Sequence, residues 1–526
     1  MNLAEDVRMT GGRACQIAAI LLLFLICISC GDTFRPVAIP VPSPPPDPGS
    51  FHFAIMVNSN GPSNPGTTTR VDVSGDSNAG NSVAGFGPVH AALLPNAGRV
   101  YVANNLEDTV TSYAPATPGS VTTTSLPPGS APVFLATAES GNMYVANSGT
   151  GMVAVIATGS NVVTNLIPVG TNPMALVEAP DSRKVYVANQ GSGSVTSINT
   201  IDKSVNNPNI VTGNSPIWLA VRSDSARVYA LNSGSGTVST IDTTSDLVIG
   251  SVLVGAGANY MVSDPKLNRL YITNPVANTL TALDISGNVA ALLYSVSVAS
   301  TPVSVAVLPD GSRAYVASFR QVPPCTQDPA DLRPCINSEV TTINTSDGSM
   351  RDLIPLQSAV SITAASQSGT DTTYTYTLTA GPPPSAGMTM VITGMADAGN
   401  NGTFIVTAGF AGSFTVTNSA GVAASSQSGI GTNVVEVDTA NPTGCGAARF
   451  RFSAAASATS PRVYVGNCDA GNLAVIRTVA ETSPDGTHYA ADTVVLNLPA
   501  PVSSFPAPMP SEQPPAQNPV FILPEP

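Results

Sequence analysis

Lys184-Val185-Tyr186-Val187-Ala188-Asn189 is one copy of a six-residue word that recurs along the chain, with its tyrosine at Tyr101, Tyr144, Tyr186, Tyr229, Tyr271, Tyr315 and Tyr464. The first six tyrosines follow one another at 42 to 44 residues, the mark of a repeat architecture. A period of this length holds four strands and their turns at roughly ten residues each, which is one blade of a β-propeller rather than a helical repeat. In the word itself Val185 and Val187 share one face of the strand, and Tyr186 and Ala188 share the other. Both faces are apolar, so the sheet has to be covered on both sides, and neighbouring blades supply that cover.

One full unit, 172–213, shows the turn chemistry. It turns at Pro180-Asp181-Ser182 and again at Gly191-Ser192-Gly193, residue types that suit tight hairpins. A basic residue stands two positions before the tyrosine in six of the seven copies: Arg99, Lys184, Arg227, Arg269, Arg313 and Arg462. Repetition in every blade points to an architectural task, such as pairing with an aspartate of the preceding turn or of a neighbouring blade. Asn104, Asn147, Asn189, Asn232, Asn274 and Asn467 close their words, where asparagine side chains satisfy turn backbone groups at strand ends.

Arg-Val-Tyr-Val-Ala-Asn followed by a Gly/Ser turn, the strand Val238-Ser239-Thr240-Ile241-Asp242 and the turn Pro309-Asp310-Gly311 resemble the YVTN-type β-propeller repeat of prokaryotic surface and surface-layer proteins. The resemblance covers most of 88–318 and resumes near 447–498. It implies a propeller and brings no catalytic set with it, because the family is defined by its blade scaffold. The fold class is therefore all-β: a β-propeller of seven or eight four-stranded blades, with a small inserted β module. Ile55-Met56-Val57-Asn58 reads as an eighth, degenerate copy without the tyrosine. If it counts, the chain enters the ring inside a blade, and Pro519-Val520-Phe521-Ile522-Leu523 is the candidate for the missing inner strand, closing the ring and removing exposed edges.

The domain reading runs in five parts: a signal peptide with lipobox over 1–29, a Pro-rich tether over 30–50, the first part of the propeller over 51–356, the inserted module over 357–432, and the last blade with its closing segment over 433–526. Arg8 and Arg13 precede an apolar run from Ile17 to Ile28, short for a membrane span and followed by Ser29-Cys30-Gly31. A small residue before a cysteine after such a run resembles the bacterial lipobox, which would make Cys30 the lipidated first residue of the mature chain; an ordinary cleaved signal and an uncleaved anchor are the alternatives. Cys27 stands where that motif usually has leucine. The net charge is −13, only 10% of residues are charged, and Lys184, Lys203 and Lys266 are the only lysines. That composition suits an exported β protein and gives no basic stripe for nucleic acid.

Of the seven cysteines, Cys15 and Cys27 leave with the leader, and besides Cys30 there remain Cys325, Cys335, Cys445 and Cys468. Cys325 and Cys335 bracket a Pro-rich hairpin loop, and Cys445 and Cys468 flank strands that should be neighbours, so two disulfides are expected, with a metal site as the rival reading. Tyr315 and Tyr464 are 149 residues apart, and most of the excess is a Thr/Ser/Gly-rich block from about Ala359 to Gly431. Similar words bracket it, Ala364 to Gly369 and Ala424 to Gly429, and between them 373–378, 388–392, 403–407 and 413–417 alternate as short strands. This reads as a small sandwich or half-barrel grafted into a blade loop, a place where insertions cost little and where binding often resides, or else as a spacer without ligand.

The sequence offers no catalytic, cofactor-binding or metal residues. His52, His90 and His488 are scattered, no Gly-x-Ser-x-Gly elbow occurs, and Trp218 is the only tryptophan, whereas quinone-dependent propellers stack tryptophans in each blade. Asp181, Asp202, Asp242, Asp284 and Asp310 recur at turns and strand ends, where turn stabilisation explains them. The functional expectation is an exported, lipid-anchored, non-catalytic binding or scaffolding module of the bacterial envelope, with an envelope protein or glycan as partner and no cofactor. The alternatives are a lactonase-like propeller hydrolase and a structural surface-layer component.

Overall fold

The computed structural model describes residues 53–117, 119–137, 140–322, 334–425, 428–436, 445, 451–482, 488–501 and 516–524. The expected signal peptide, the tether, Cys30, His52 and Cys325 lie outside the described residues. Within Phe51–Pro526, eight four-stranded sheets form the blades of a propeller, and a closed six-stranded barrel is added to them. The blade number is therefore eight.

The strands of each blade are lettered a to d from the axis outward. Blade 4 shows the pattern: Pro173–Glu178, Lys184–Asn189, Ser194–Asn199 and Val205–Val211, each antiparallel to the next. The repeated word is strand b. Val185 and Val187 pack with Tyr144 and Val153 of blade 3, while Tyr186 and Ala188 pack with Leu219 and Val228 of blade 5. Alternation along one strand thus fills two inter-blade cores at once.

Blade 1 is assembled from both ends of the described chain. Phe53–Ser59, Pro65–Asp72 and Ser77–Phe86 are its strands b, c and d, and Asn518–Leu523 is strand a. Ile55 pairs with Leu523, Met56 with Ile522 and Val57 with Phe521, so the closure expected of 519–523 is present. The word without tyrosine is a blade strand like the others.

Strand a opens with proline in blades 2, 3, 4, 5 and 7, at Pro88, Pro132, Pro173, Pro216 and Pro302. At the first residue of an edge strand the missing N–H costs no ladder bond. In these five blades the register slips directly after the proline.

In several blades the basic residue or the tyrosine latches the blade to the one after it. Tyr186 donates to Asp246 of blade 5 at 2.7 Å, and Lys184 reaches the same carboxylate at 2.8 Å. Tyr315 and Arg313 do the same with Asp492 of blade 8, and Arg462 pairs with Asp76 of blade 1 at 2.9 Å. Asn161, Lys203, Asp246, Asp492 and Asp76 stand at c–d turns with φ between 46° and 64°. Tyr101 donates to Asn161, and Lys203 donates to Tyr144. Of the two alternatives in the sequence, the neighbouring blade supplies the carboxylate for Lys184, Arg313 and Arg462, whereas Arg227 pairs with Asp242 on strand c of its own blade at 2.7 Å. Burial pushes the latch phenols up, to about 12 for Tyr144 and Tyr229, and further for Tyr186 and Tyr315, whose hydroxyls face carboxylates.

The closing asparagines depart from expectation. Asn104, Asn189 and Asn232 donate mainly to hydroxyls on strand c, such as Thr111, Thr196 and Ser239, and only Asn274 spends its amide entirely on turn backbone. For Asn104, Asn189 and Asn232 the Thr/Ser-rich strand c supplies the partner that a buried amide needs; Asn467 donates instead to Ser338 of blade 7, and the buried Asn147 amide has no hydrogen-bond partner among the described residues.

The turn aspartates behave as read. Backbone N–H donors of Ser204, Ser245, Ser286 and Ser349 hold the carboxyls of Asp202, Asp242, Asp284 and Asp347 below the ordinary value, whereas burial holds Asp76 above it despite Arg462. A depressed carboxyl contributes stability above its unfolded pKa of about 3.9, lost as pH falls through the folded value. Asp76 acts in the opposite sense, since its ionised form is the disfavoured one in the fold. With the depressed group larger, Tm is expected to be level from pH 7 to about 5 and to fall below about 4. A Tm that rises on acidification to pH 3 would contradict this balance.

Candidate functional site

The axis of the ring carries a tier of residues at one register position, the partner of the residue before the closing position of strand b. Phe521 pairs with Val57, His90 with Ala103, Phe134 with Ala146 and Ala175 with Ala188. Trp218 pairs with Leu231, Tyr260 with Thr273, Ser304 with Ala317 and Ser453 with Gly466. Five of the eight are aromatic, counting the imidazole, and they touch in series. His90 stacks on Phe134 with centroids 3.9 Å apart and lies 4.3 Å from Phe521; Phe134 meets Trp218 edge-on at 5.4 Å, and Trp218 lies 4.7 Å from Tyr260. Ala175 is small enough for Phe134 and Trp218 to meet past blade 4.

This arc gives the propeller an apolar axis along blades 1 to 6, with hydroxyls on blades 7 and 8. Ser453 Oγ accepts from the Ile522 N–H at 3.1 Å, while Ser304 Oγ, on a residue 1% exposed, has no hydrogen-bond partner among the described residues. His90 Nδ1 accepts from the Leu135 N–H at 3.3 Å, so the imidazole is fixed from one side by backbone and from both faces by rings. Of the three histidines, His90 is therefore a core residue, and His488 is an exposed one beside Thr482. The tier was not read from sequence, although Pro88-x-His90, Pro132-x-Phe134, Pro216-x-Trp218 and Pro519-x-Phe521 are the signal that carries it.

A second concentration of structure lies over blades 7 and 8, on the face of the b–c hairpins. Strands b and c of blade 7, Arg313–Val322 and Cys335–Asn344, run ten residues each and extend beyond that face. The barrel stands in the connection from strand d of blade 7, Met350–Pro355, to strand a of blade 8, Phe452–Ala456. Its strands are Ala359–Ser368, Asp371–Ala380, Thr389–Thr393, Gly402–Phe410, Ser413–Thr417 and Gly429–Val434, and the last pairs with both the first and the third. The inserted module is thus a closed barrel, not a sandwich or half-barrel. Tyr374, Phe414, Met390, Ile392 and Val416 fill its interior. The similar bracketing words meet each other: Ala365 and Ala424 exchange both backbone bonds at 2.8 Å.

Covalent and hydrogen bonds fix the barrel's return path. Cys445 and Cys468 form a disulfide with Cα atoms 5.5 Å apart, tying the linker out of the barrel to the b–c hairpin of blade 8. Asn518 of the closing strand donates to Cys468 O at 3.1 Å, and the Ile336 N–H of blade 7 donates to Val435 O at 2.7 Å. Arg451 forms a fork on Asp469 at 2.6 and 2.7 Å and lies over the Phe319 ring. Cys335 is disulfide-bonded as well. Away from this sector, an open cleft of about 490 Å³ lies between blades 3 and 4 beside Gly170, Ser192 and Pro208.

No protein-family model and no curated protein matches the chain. Among solved structures it is similar to the hydrazine synthase of Kuenenia stuttgartiensis, with 15% identity, 71% of this chain and 87% of that one covered, and a TM-score of 0.42. It is also similar to the periplasmic gluconolactonase of Pseudomonas aeruginosa, with 15% identity, 58% and 95% covered, and a TM-score of 0.45. The Cps50 (Swd1) β-propeller domain of Myceliophteria thermophila follows at 10% identity, 51% and 85% covered, and a TM-score of 0.40. Likeness at this level concerns the fold and says nothing of activity.

Proposed function

We propose that this chain is an exported propeller of the YVTN-repeat type, lipid-anchored through Cys30, that acts as a non-catalytic binding or scaffolding module of the bacterial envelope. The observation that carries the reading is the barrel braced over blades 7 and 8. Its own interior is packed, its return linker is cross-linked to blade 8, and its outer loops stand on the propeller's b–c face. A rigid ring with one built-up sector presents loops at fixed positions, the usual arrangement for recognition on a scaffold. Disulfides at Cys335 and at Cys445–Cys468 fit an oxidising compartment, and the aromatic axis fills the ring with apolar rings rather than with converging acids and bases.

The partner is an envelope protein or glycan, and the membrane is reached only through the lipid. Purified protein is expected to bind isolated envelope material saturably, and replacing 359–434 by a short Gly/Ser link is expected to remove that binding while the propeller still folds. Cys30→Ala is expected to abolish fatty-acid labelling. Absence of envelope binding by the intact protein overturns the binding role, and label retained by Cys30→Ala overturns the anchor.

A further inference from the structure

The disulfide Cys445–Cys468 lies where the ring closes. Cys468 opens the b–c hairpin of blade 8, directly after strand Arg462–Asn467, and the closing strand Asn518–Leu523 starts beside it. Asn518, itself buried, spends its side-chain amide here, donating to Cys468 O at 3.1 Å and to Cys445 Sγ at 3.4 Å. The residues just before it touch the same hairpin: a Cβ on Gly471 would lie 2.5 Å from Ala516 Cβ. Both cysteines, 2% and 0% exposed, share one buried cluster with Ile55 and Val57 of blade 1 and Val520 of the closing strand.

Reduction changes the space that this cluster needs. Bonded sulfurs stand about 2.0 Å apart, whereas two thiols approach no closer than about 3.5–4 Å. A core at crystal-like density has no slack for that separation, so the displacement falls on the neighbour with the fewest other ties. Ile55 and Val57 stand on Phe53–Ser59, which is laddered on both sides, to Pro65–Asp72 and to the closing strand. Val520 stands on a six-residue strand with that one ladder alone in its sheet. The closing strand is therefore the part that gives way, and Asn518 loses a partner for its buried amide at the same time.

We infer that Cys445–Cys468 is a redox clasp on ring closure: the oxidised pair holds Asn518–Leu523 in blade 1, and the reduced pair lets that strand undock more often than the rest of the ring. Burial sets the order of events. With the strand in place neither sulfur is reachable, so exchange takes place while the strand is away. One cysteine, as thiolate, attacks a disulfide of the oxidant and expels one thiol; the other then attacks the mixed disulfide and expels the second, so two electrons and two protons end on the oxidant. A chain in a reducing compartment keeps blade 1 loose, and one that meets a disulfide oxidant closes it. This goes beyond the envelope-binding role and is read out without any partner.

Hydrogen exchange of the purified protein, followed peptide by peptide by mass spectrometry, tests the clasp. Once dithiothreitol has reduced the bond, as alkylation of Cys445 and Cys468 verifies, 518–523 and 53–59 are expected to exchange about tenfold faster or more, while Lys184–Asn189 and Arg227–Asn232 keep their protection. Oxidised glutathione is expected to restore the slow exchange. Cys445→Ser with Cys468→Ser is expected to show the fast exchange without reductant, which separates this bond from the one at Cys335 and answers equally if the bond resists the reagent. Asn518→Ala is expected to speed reduction of the bond about tenfold or more. Protection of 518–523 that survives loss of the bond overturns the inference, and so does a loss of protection equal in every blade, which would make the bond a general brace. A reduction rate that Asn518→Ala leaves unchanged overturns the order of events and with it the clasp.

Discussion

Truncation before Asn518 is expected to cost the propeller about 5 kcal/mol or more, enough to abolish its cooperative unfolding transition. The removed segment is strand a of blade 1, and it reaches both flanking blades. Val520 packs with Ile55, Val57 and Val100 toward blade 2, and Ile522 packs with Tyr464 and Leu473 toward blade 8. Burying side chains of this size contributes roughly 1.5–3 kcal/mol each, and Phe521 also supplies one face of the His90 sandwich. Loss of the strand exposes Ile55, Met56 and Val57, all 0% exposed, along an unpaired inner edge. Those terms together rival the whole stability of an ordinary domain, about 5–15 kcal/mol. The check is urea unfolding followed by tyrosine and tryptophan fluorescence, with Phe521→Ala beside the truncation. Phe521→Ala is expected to cost about 3–5 kcal/mol and to keep a single transition. A truncated chain that unfolds at the wild-type midpoint would mean that the ring does not depend on its terminal strand.

The closing strand was legible because Val-Phe-Ile-Leu stands alone in a Pro-rich terminus and a blade at the other end lacked a strand. Period and alternation gave the blades for a similar reason: Tyr186 and its equivalents sit where every copy has the same neighbours, so one local pattern repeats one environment. The latch partners were only half legible. Lys184 and Arg313 show that a counter-charge is needed, but Asp246 and Asp492 are 62 and 179 residues further on, and only a left-handed c–d turn in the next blade brings them back. The aromatic tier escaped for a related reason. His90, Phe134, Trp218 and Tyr260 differ in kind, and each looks like an isolated core residue until the register places them at one height. The barrel's closure depends on Gly429–Val434 pairing with two strands at once, a non-local fact that short alternating runs do not contain.

Asp492→Ala is expected to destabilise the seam between blades 7 and 8 by about 3–5 kcal/mol. The carboxylate has 2% of its side chain exposed and takes Arg313 at 2.7 Å, Arg351 at 2.8 Å and the Tyr315 hydroxyl at 2.5 Å. Arg313 is itself only 13% exposed, so removing its partner leaves a nearly buried cation without a counter-charge, which costs more than the pair contributes when formed. Asp492→Asn should be milder, about 1–3 kcal/mol, because Asn tolerates the φ of 56° and can still accept from Tyr315, as Asn161 does from Tyr101 in blade 3. Combining Asp492→Ala with Arg313→Met should recover part of the loss, since the unpaired charge is then gone. Asp181→Ala is the control: its pairing with Arg183 at 3.9 Å is exposed on both sides and should contribute less than about 1 kcal/mol. Denaturant midpoints for the four variants decide the matter. If Asp492→Ala falls with Asp181→Ala, the buried latch is not what locks blade 7 to blade 8, and apolar packing of Val340 and Ile354 against Val463 and Ile476 must hold the seam alone.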